Sequence, residues 1–159
     1  MIYTITLNPA LDYIIKLKEL VPNEINTSES EYILPGGKGI NVSIILKRLN
    51  VESVTLGFIS GFTGKEIQKL VEKEKIQTDF INLEEGHSRI NVKILEDEKE
   101  TAINSKGPLV DNKSIEKLYQ KLSNLKENDI LVLSGSIPKG IKEDIYEEIC
   151  EKIKDKNVK

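Results

Sequence analysis

A run of glycines broken by one lysine, Pro35-Gly36-Gly37-Lys38-Gly39-Ile40-Asn41, opens an apolar helix pattern in this 159-residue chain. Glycines let the backbone approach a ligand closely, and free amides at a helix start favour an anion. Lys38 would add a point charge to a phosphate, and Asn41, one turn in, could hydrogen-bond a hydroxyl. The spacing is not that of a nucleoside-triphosphate loop, because Tyr32 holds the place of the earlier glycine and no Ser or Thr follows Lys38. Nor is it the dinucleotide pattern, since Val42 stands where the third glycine belongs. Alone, the run is equally well explained as a plain glycine turn before a helix.

Three further constellations carry polar chemistry. Asn8-Pro9-Ala10-Leu11-Asp12 follows a strand-like run, so Asp12 would lie beyond a strand's carboxyl end, where α/β sheets bind ligands. A carboxylate there can accept from two neighbouring sugar hydroxyls; an isolated Asp is more often a turn cap. In Arg89-Ile90-Asn91-Val92-Lys93, period-2 geometry puts Arg89, Asn91 and Lys93 on one face. That face suits phosphate and hydroxyl recognition, with Arg89 able to grip a phosphate bidentately, and it equally suits solvent. Ser134-Gly135-Ser136-Ile137-Pro138 again follows a strand and offers hydroxyls and amides beside open space; a structural turn is the alternative. Cys150 reads as a helix-face packing residue and His87 as a loop residue.

The elements that must position these groups alternate. Strands are expected over Ile2 to Leu7, Tyr13 to Leu20, Glu29 to Leu34, Ser53 to Ile59, Arg89 to Leu95, Glu100 to Asn104 and Ile130 to Leu133. Tyr13 to Leu20 has the partial alternation of a half-exposed antiparallel strand. Ile40 to Leu49 is apolar nearly all round and predicts a helix buried against a sheet. Thr63 to Glu66 has a capping-box pattern, and Asp111 can cap a helix with the stripe Ile115, Leu118, Leu122, Leu125. The last helix places Ile141, Ile145, Ile149 and Ile153 four apart. This alternation predicts a parallel α/β sheet over residues 1–159, with segments near 13–34 and 89–104 forming one small separate sheet. The closing Asn157-Val158-Lys159 stands where a next strand would start, so the fold is expected to be truncated there.

Composition narrows the function. The net charge of −3, with 23 basic and 26 acidic residues interspersed, gives no reason to expect nucleic acid or a membrane surface as partner. One cysteine and one histidine supply neither a disulfide framework nor a zinc site. No stretch is apolar enough to span a bilayer and no leader pattern opens the chain, so a cytoplasmic location is expected.

In their order and wording, Thr6-Leu7-Asn8-Pro9-Ala10-Leu11-Asp12, Gly36-Gly37-Lys38-Gly39-Ile40-Asn41-Val42, Arg89-Ile90-Asn91-Val92-Lys93-Ile94 and Ser134-Gly135-Ser136-Ile137-Pro138 together resemble the ribokinase-like (PfkB) sugar kinases. The likeness covers the whole chain and lies nearest the 1-phosphofructokinase branch; tagatose-6-phosphate kinases share the glycine block. It implies a doubly wound α/β fold with a small β-sheet lid. It also implies that Asp12, Gly37 and Asn41 hold sugar hydroxyls, while Lys38, Arg89 and Ser136, with Lys93 less closely matched, surround the substrate phosphate. Full-length members use ATP and magnesium to phosphorylate a sugar hydroxyl, through an Asp in a Gly-Ala-Gly-Asp run that this chain lacks. The resemblance therefore implies no catalytic residue and no metal ligand here, and an N-terminal portion that binds sugar phosphate without turning it over. A free-standing phosphosugar-binding module is the other reading. Ala102 replaces a frequent Glu, and Thr27 a frequent Arg. Exposed sheet edges would favour association, with a homodimer through the lid sheet as the candidate.

Overall fold

The computed structural model describes the whole chain, Met1–Lys159. Strand β1 (Ile2–Thr6) buries Ile5 on one face and Thr4 and Thr6 on the other. It is followed by β2 (Ala10–Leu17), β3 (Ser30–Gly36), α1 (Lys38–Arg48), β4 (Ser53–Ser60) and α2 (Gly61–Lys73). The short strands β5 (Gln77–Thr78) and β6 (Ile81–Leu83) lead to β7 (Arg89–Glu96) and β8 (Lys99–Asn104). Helix α3 (Asn112–Ser123), β9 (Ile130–Leu133), α4 (Ile145–Ile153) and a 3-10 turn (Lys154–Lys156) complete the chain.

The main sheet is wholly parallel, in the order β5-β4-β1-β9 with β6 also on β4. Helices cover both faces, as a doubly wound α/β fold requires. On one side Ile5, Leu56 and Phe58 pack against Leu118 and Leu122 of α3 and Ile145 and Ile149 of α4. On the other, Ile40 of α1 joins Ile67 and Val71 of α2 in a smaller cluster. There the sheet is rich in hydroxyls, and Ser43 of α1 bonds both Thr4, at 2.8 Å, and Ser53, at 3.0 Å.

The segments near 13–34 and 89–104 form a second sheet, β3-β2-β7-β8. Strand β2 starts earlier than expected, at Ala10, and β3 runs through Pro35 to Gly36. The expected antiparallel character is only half right, because β2 is antiparallel to β3 but parallel to β7. Both β2 and β7 leave the main sheet after strands that run the same way in it, so they point alike.

Other expectations need correction. Helix α1 packs on the main sheet through Ile40 as expected, but its outer side is open: Ile45 is 52% exposed and Leu49, just past the helix, 67%. Helix α2 follows β4 without a turn, with Ser60 at its N-cap. Thr63 therefore lies inside the first turn, where its hydroxyl donates to the Ser88 carbonyl at 2.9 Å, and forms no capping box. Asp111 does cap α3, accepting from the Ser114 amide at 2.8 Å. Ile145, Ile149 and Ile153 are buried along α4, while Ile141 precedes the helix. Cys150, next to that stripe, is exposed rather than packed.

Candidate functional site

A cavity of about 390 Å³ lies between the carboxyl end of the main sheet and the inner face of the small sheet. Asp12, Gly37, Lys38, Asn41, Arg89, Lys93 and Ser136, all singled out from the sequence, line it together. Thr6, Asn8, Asn91, Glu100 and Asn104 also line it.

Helix α1 brings its first turn to the cavity with glycine in place of a capping side chain. Gly37 sits at φ 136°, a region side chains rarely adopt, and a Cβ there would lie 2.5 Å from the Thr6 methyl. Thr6 fixes the turn from below, its Oγ1 accepting from the Ile40 amide at 3.0 Å. The Asn41 amide is taken by the Gly37 carbonyl. The Lys38 and Gly39 amides are left without a side-chain partner, the condition an anion at a helix start requires.

The opposite wall is built by β2 and β7. Asn91 donates to Asp12 Oδ1 at 2.9 Å, and the Lys93 ammonium pairs with Oδ2 at 3.2 Å. Gly36 gives the carboxylate its room, since a Cβ there would lie 2.7 Å from its atoms. Arg89, one pleat along, is half-buried, and its Nε and Nη2 both donate to the Asn8 carbonyl, at 3.0 and 2.6 Å. Burial pushes its guanidinium below the ordinary value and the nearby Asp12 pulls it back. With two donors committed to Asn8, the Nη1 edge and the second Nη2 hydrogen remain for a ligand.

The third wall is the turn after β9. Tyr146 of α4 donates to the Gly135 carbonyl at 3.1 Å and so steadies the loop that carries Ser136. Burial pushes the Tyr146 phenol up, keeping it protonated as a donor. The site therefore sets lysines and an arginine, with a glycine-bare helix start, against one well-held carboxylate. That arrangement can hold an anion and hydroxyls within one cavity. No group of three or more His, Cys, Asp or Glu side chains could hold a metal ion.

Sequence reasoning missed Asn8 and Tyr146 as parts of the site, and set Asn91 on the right face without giving it a role. Asn91 carried a usable signal, the same-face alternation with Arg89 and Lys93; Tyr146 carried none, because its contact crosses from a helix to a loop.

The pfkB family carbohydrate kinase profile matches residues 5–159. The chain is 43% identical to the 1-phosphofructokinase of Bacillus subtilis over 159 residues, all of this chain and 52% of that protein. It is 40% identical to the D-tagatose-1-phosphate kinase of Bacillus licheniformis over 95% of this chain and 49% of that one. In fold it matches phosphofructokinase-2 of Escherichia coli, solved in complex with fructose-6-phosphate, at 22% identity and a TM-score of 0.92, over 99% of this chain and 52% of that one. The chain spans about half the length of these relatives.

Proposed function

Because this chain belongs to the pfkB family of carbohydrate kinases, we propose that it is the sugar-phosphate-binding half of an ATP-dependent kinase acting on fructose 1-phosphate. The observation that carries the reading is that Lys38, Arg89, Ser136 and the bare α1 start line one cavity together with Asp12. Cations and free amides suit the phosphate; Asp12, Gly37 and Asn41 suit the hydroxyls. Lys93, paired with Asp12 at 3.2 Å, lines the same cavity.

Phosphoryl transfer needs positioning, a proton acceptor and stabilisation of developing charge. The site supports the first. Only Asp12 and Glu100 bring carboxylates to the cavity, and Asp12 is already engaged by Asn91 and Lys93. The residues present do not fit a magnesium site, and no step proposed here runs through one. We therefore expect the 159-residue chain to bind sugar phosphate without catalysing transfer. A cytoplasmic setting fits this reading, and no helix is long and apolar enough to cross a membrane.

A second copy is the partner proposed for the outer face of the small sheet, where Tyr13, Ile33, Val92 and Ile103 form one cross-strand row. Ile33 is 45% and Ile103 61% exposed along it. Sedimentation of an Ile103→Lys variant tests this: the wild type should associate and the variant should not.

The deciding experiment for the function reads the coding frame beyond Lys159 and measures ADP release from ATP and fructose 1-phosphate by the short and extended chains. Turnover only by an extended chain carrying a Gly-Ala-Gly-Asp run supports the proposal. Comparable turnover by the 159-residue chain overturns it, and saturable sugar-phosphate binding with no extended frame favours the free-standing binding module.

A further inference from the structure

Asn91 lies mid-way along β7, with Asp12 of β2 and Asn104 of β8 as its cross-strand neighbours. It is 7% exposed although it borders the cavity, so its amide must be satisfied within the protein. Its Nδ2 donates to Asp12 Oδ1 at 2.9 Å, and its Oδ1 accepts from the Ser105 amide at 3.3 Å. Those partners fix which way the amide points. Turned over, it would set oxygen against carboxylate and NH2 against a backbone N–H.

A carboxylate's terminal torsion is broad, so position alone does not aim its lone pairs. Lys93 is a poor aiming device: its stem is flexible and it holds Oδ2 from a side chain 35% exposed. Asn91 is short, buried and tied at both ends. It takes one lone-pair direction of Oδ1 from the sheet side, leaving others for the cavity, while Gly36 keeps the space beside the carboxylate clear.

We propose that Asn91 is a positioning residue that aims the Asp12 carboxylate at the sugar hydroxyls, a role that rests on Asp12 being the hydroxyl acceptor. The test is a double-mutant cycle, read by calorimetric titration of the full-length natural polypeptide with fructose 1-phosphate and separately with inorganic phosphate. Asn91→Ala should weaken fructose 1-phosphate roughly tenfold, as expected for losing a hydrogen bond to a charged group, and leave inorganic phosphate unchanged. In an Asp12→Ala background, replacing Asn91 should cost almost nothing more. Additive losses, or equal losses for both probes, would mean that Asn91 only supports the sheet, and the proposal fails while Asp12 keeps its role. If Asp12→Ala alone leaves fructose 1-phosphate affinity unchanged, the reading of Asp12 fails and the role of Asn91 falls with it. Should Asn91→Ala not fold, Asn91→Leu keeps the volume and removes the donor without adding a charge beside Asp12, and the same cycle applies.

Discussion

Helices α1 and α3 treat their first amides in opposite ways. Helix α3 begins with Asp111, whose own carboxylate accepts from the Ser114 amide. Helix α1 begins with Gly37, which offers no side chain, and Lys38 follows it. Each borders a hollow of similar volume, about 400 Å³ beside α3 and about 390 Å³ beside α1. The first is lined by Glu84, Glu85 and Asp111, the second by Lys38, Arg89 and Lys93. Volume does not make an anion site. Free amides and lining cations are what favour one, and only the α1 start has both.

The strongest way to break this contrast is to fill the bare start. Gly37→Ala puts a Cβ within 2.5 Å of the Thr6 methyl, at a φ that disfavours any side chain. Relief of backbone strain of about 1–3 kcal/mol would pull the α1 amides off their positions, so fructose 1-phosphate affinity should fall by about a hundredfold or more. Calorimetric titration checks it, and wild-type affinity in this variant would remove the α1 start from the site.

Next come the cations. Lys38→Ala and Arg89→Ala should each lower fructose 1-phosphate affinity roughly ten- to a hundredfold, from losing charge-assisted hydrogen bonds. Unphosphorylated fructose should hardly notice. The deciding quantity is the ratio of the two affinities; an unchanged ratio for Arg89→Ala would return Arg89 to a structural role, bonded to the Asn8 carbonyl.

This polar half of the site was legible because its residues sit in short runs at strand ends, where spacing and topology point the same way. The Gly36–Asn41 run and the Arg89, Asn91, Lys93 alternation placed six cavity residues with no tertiary knowledge beyond a pleat and a helix turn. What stayed hidden depends on distance in sequence. The Asn8 carbonyl meets Arg89 across 81 residues, and nothing local marks either for the other. Strands β5 and β6 are two and three residues long, too short to show a period. The exposure of Ile45 on α1 and of Leu49 just past it was not foreseen, because hydrophobicity reports what could be buried, and not whether a neighbour covers it.

On the other side of the contrast, Asp111→Ala should lower the melting temperature while leaving sugar-phosphate affinity unchanged. A cap that only closes its own helix has no other consequence. A weakened affinity in this variant would join the two helix starts into one functional unit.

The smallest effect expected is on acid stability, and it sharpens the same distinction. Hydrogen bonding from Ser114 holds the Asp111 carboxyl below its ordinary 3.8. Asp129 is held below the same value by the N-terminal ammonium at 2.7 Å and the Lys126 amide at 2.9 Å. A carboxyl lowered by folding binds fewer protons in the folded state than in the unfolded chain. Its stabilisation is complete above the unfolded carboxylate range and is lost as pH falls through the lower folded values. The melting temperature should therefore hold steady near pH 6 and decline below about pH 4. In Asp111→Asn, which keeps an acceptor oxygen but cannot titrate, the decline should be shallower. In Gly37→Ala the melting curve should shift bodily downward with its pH slope kept, because no titrating group caps α1. A thermal melt series across that range separates the two, and a flattened slope in Gly37→Ala would show that the bare helix start is coupled to a carboxylate after all.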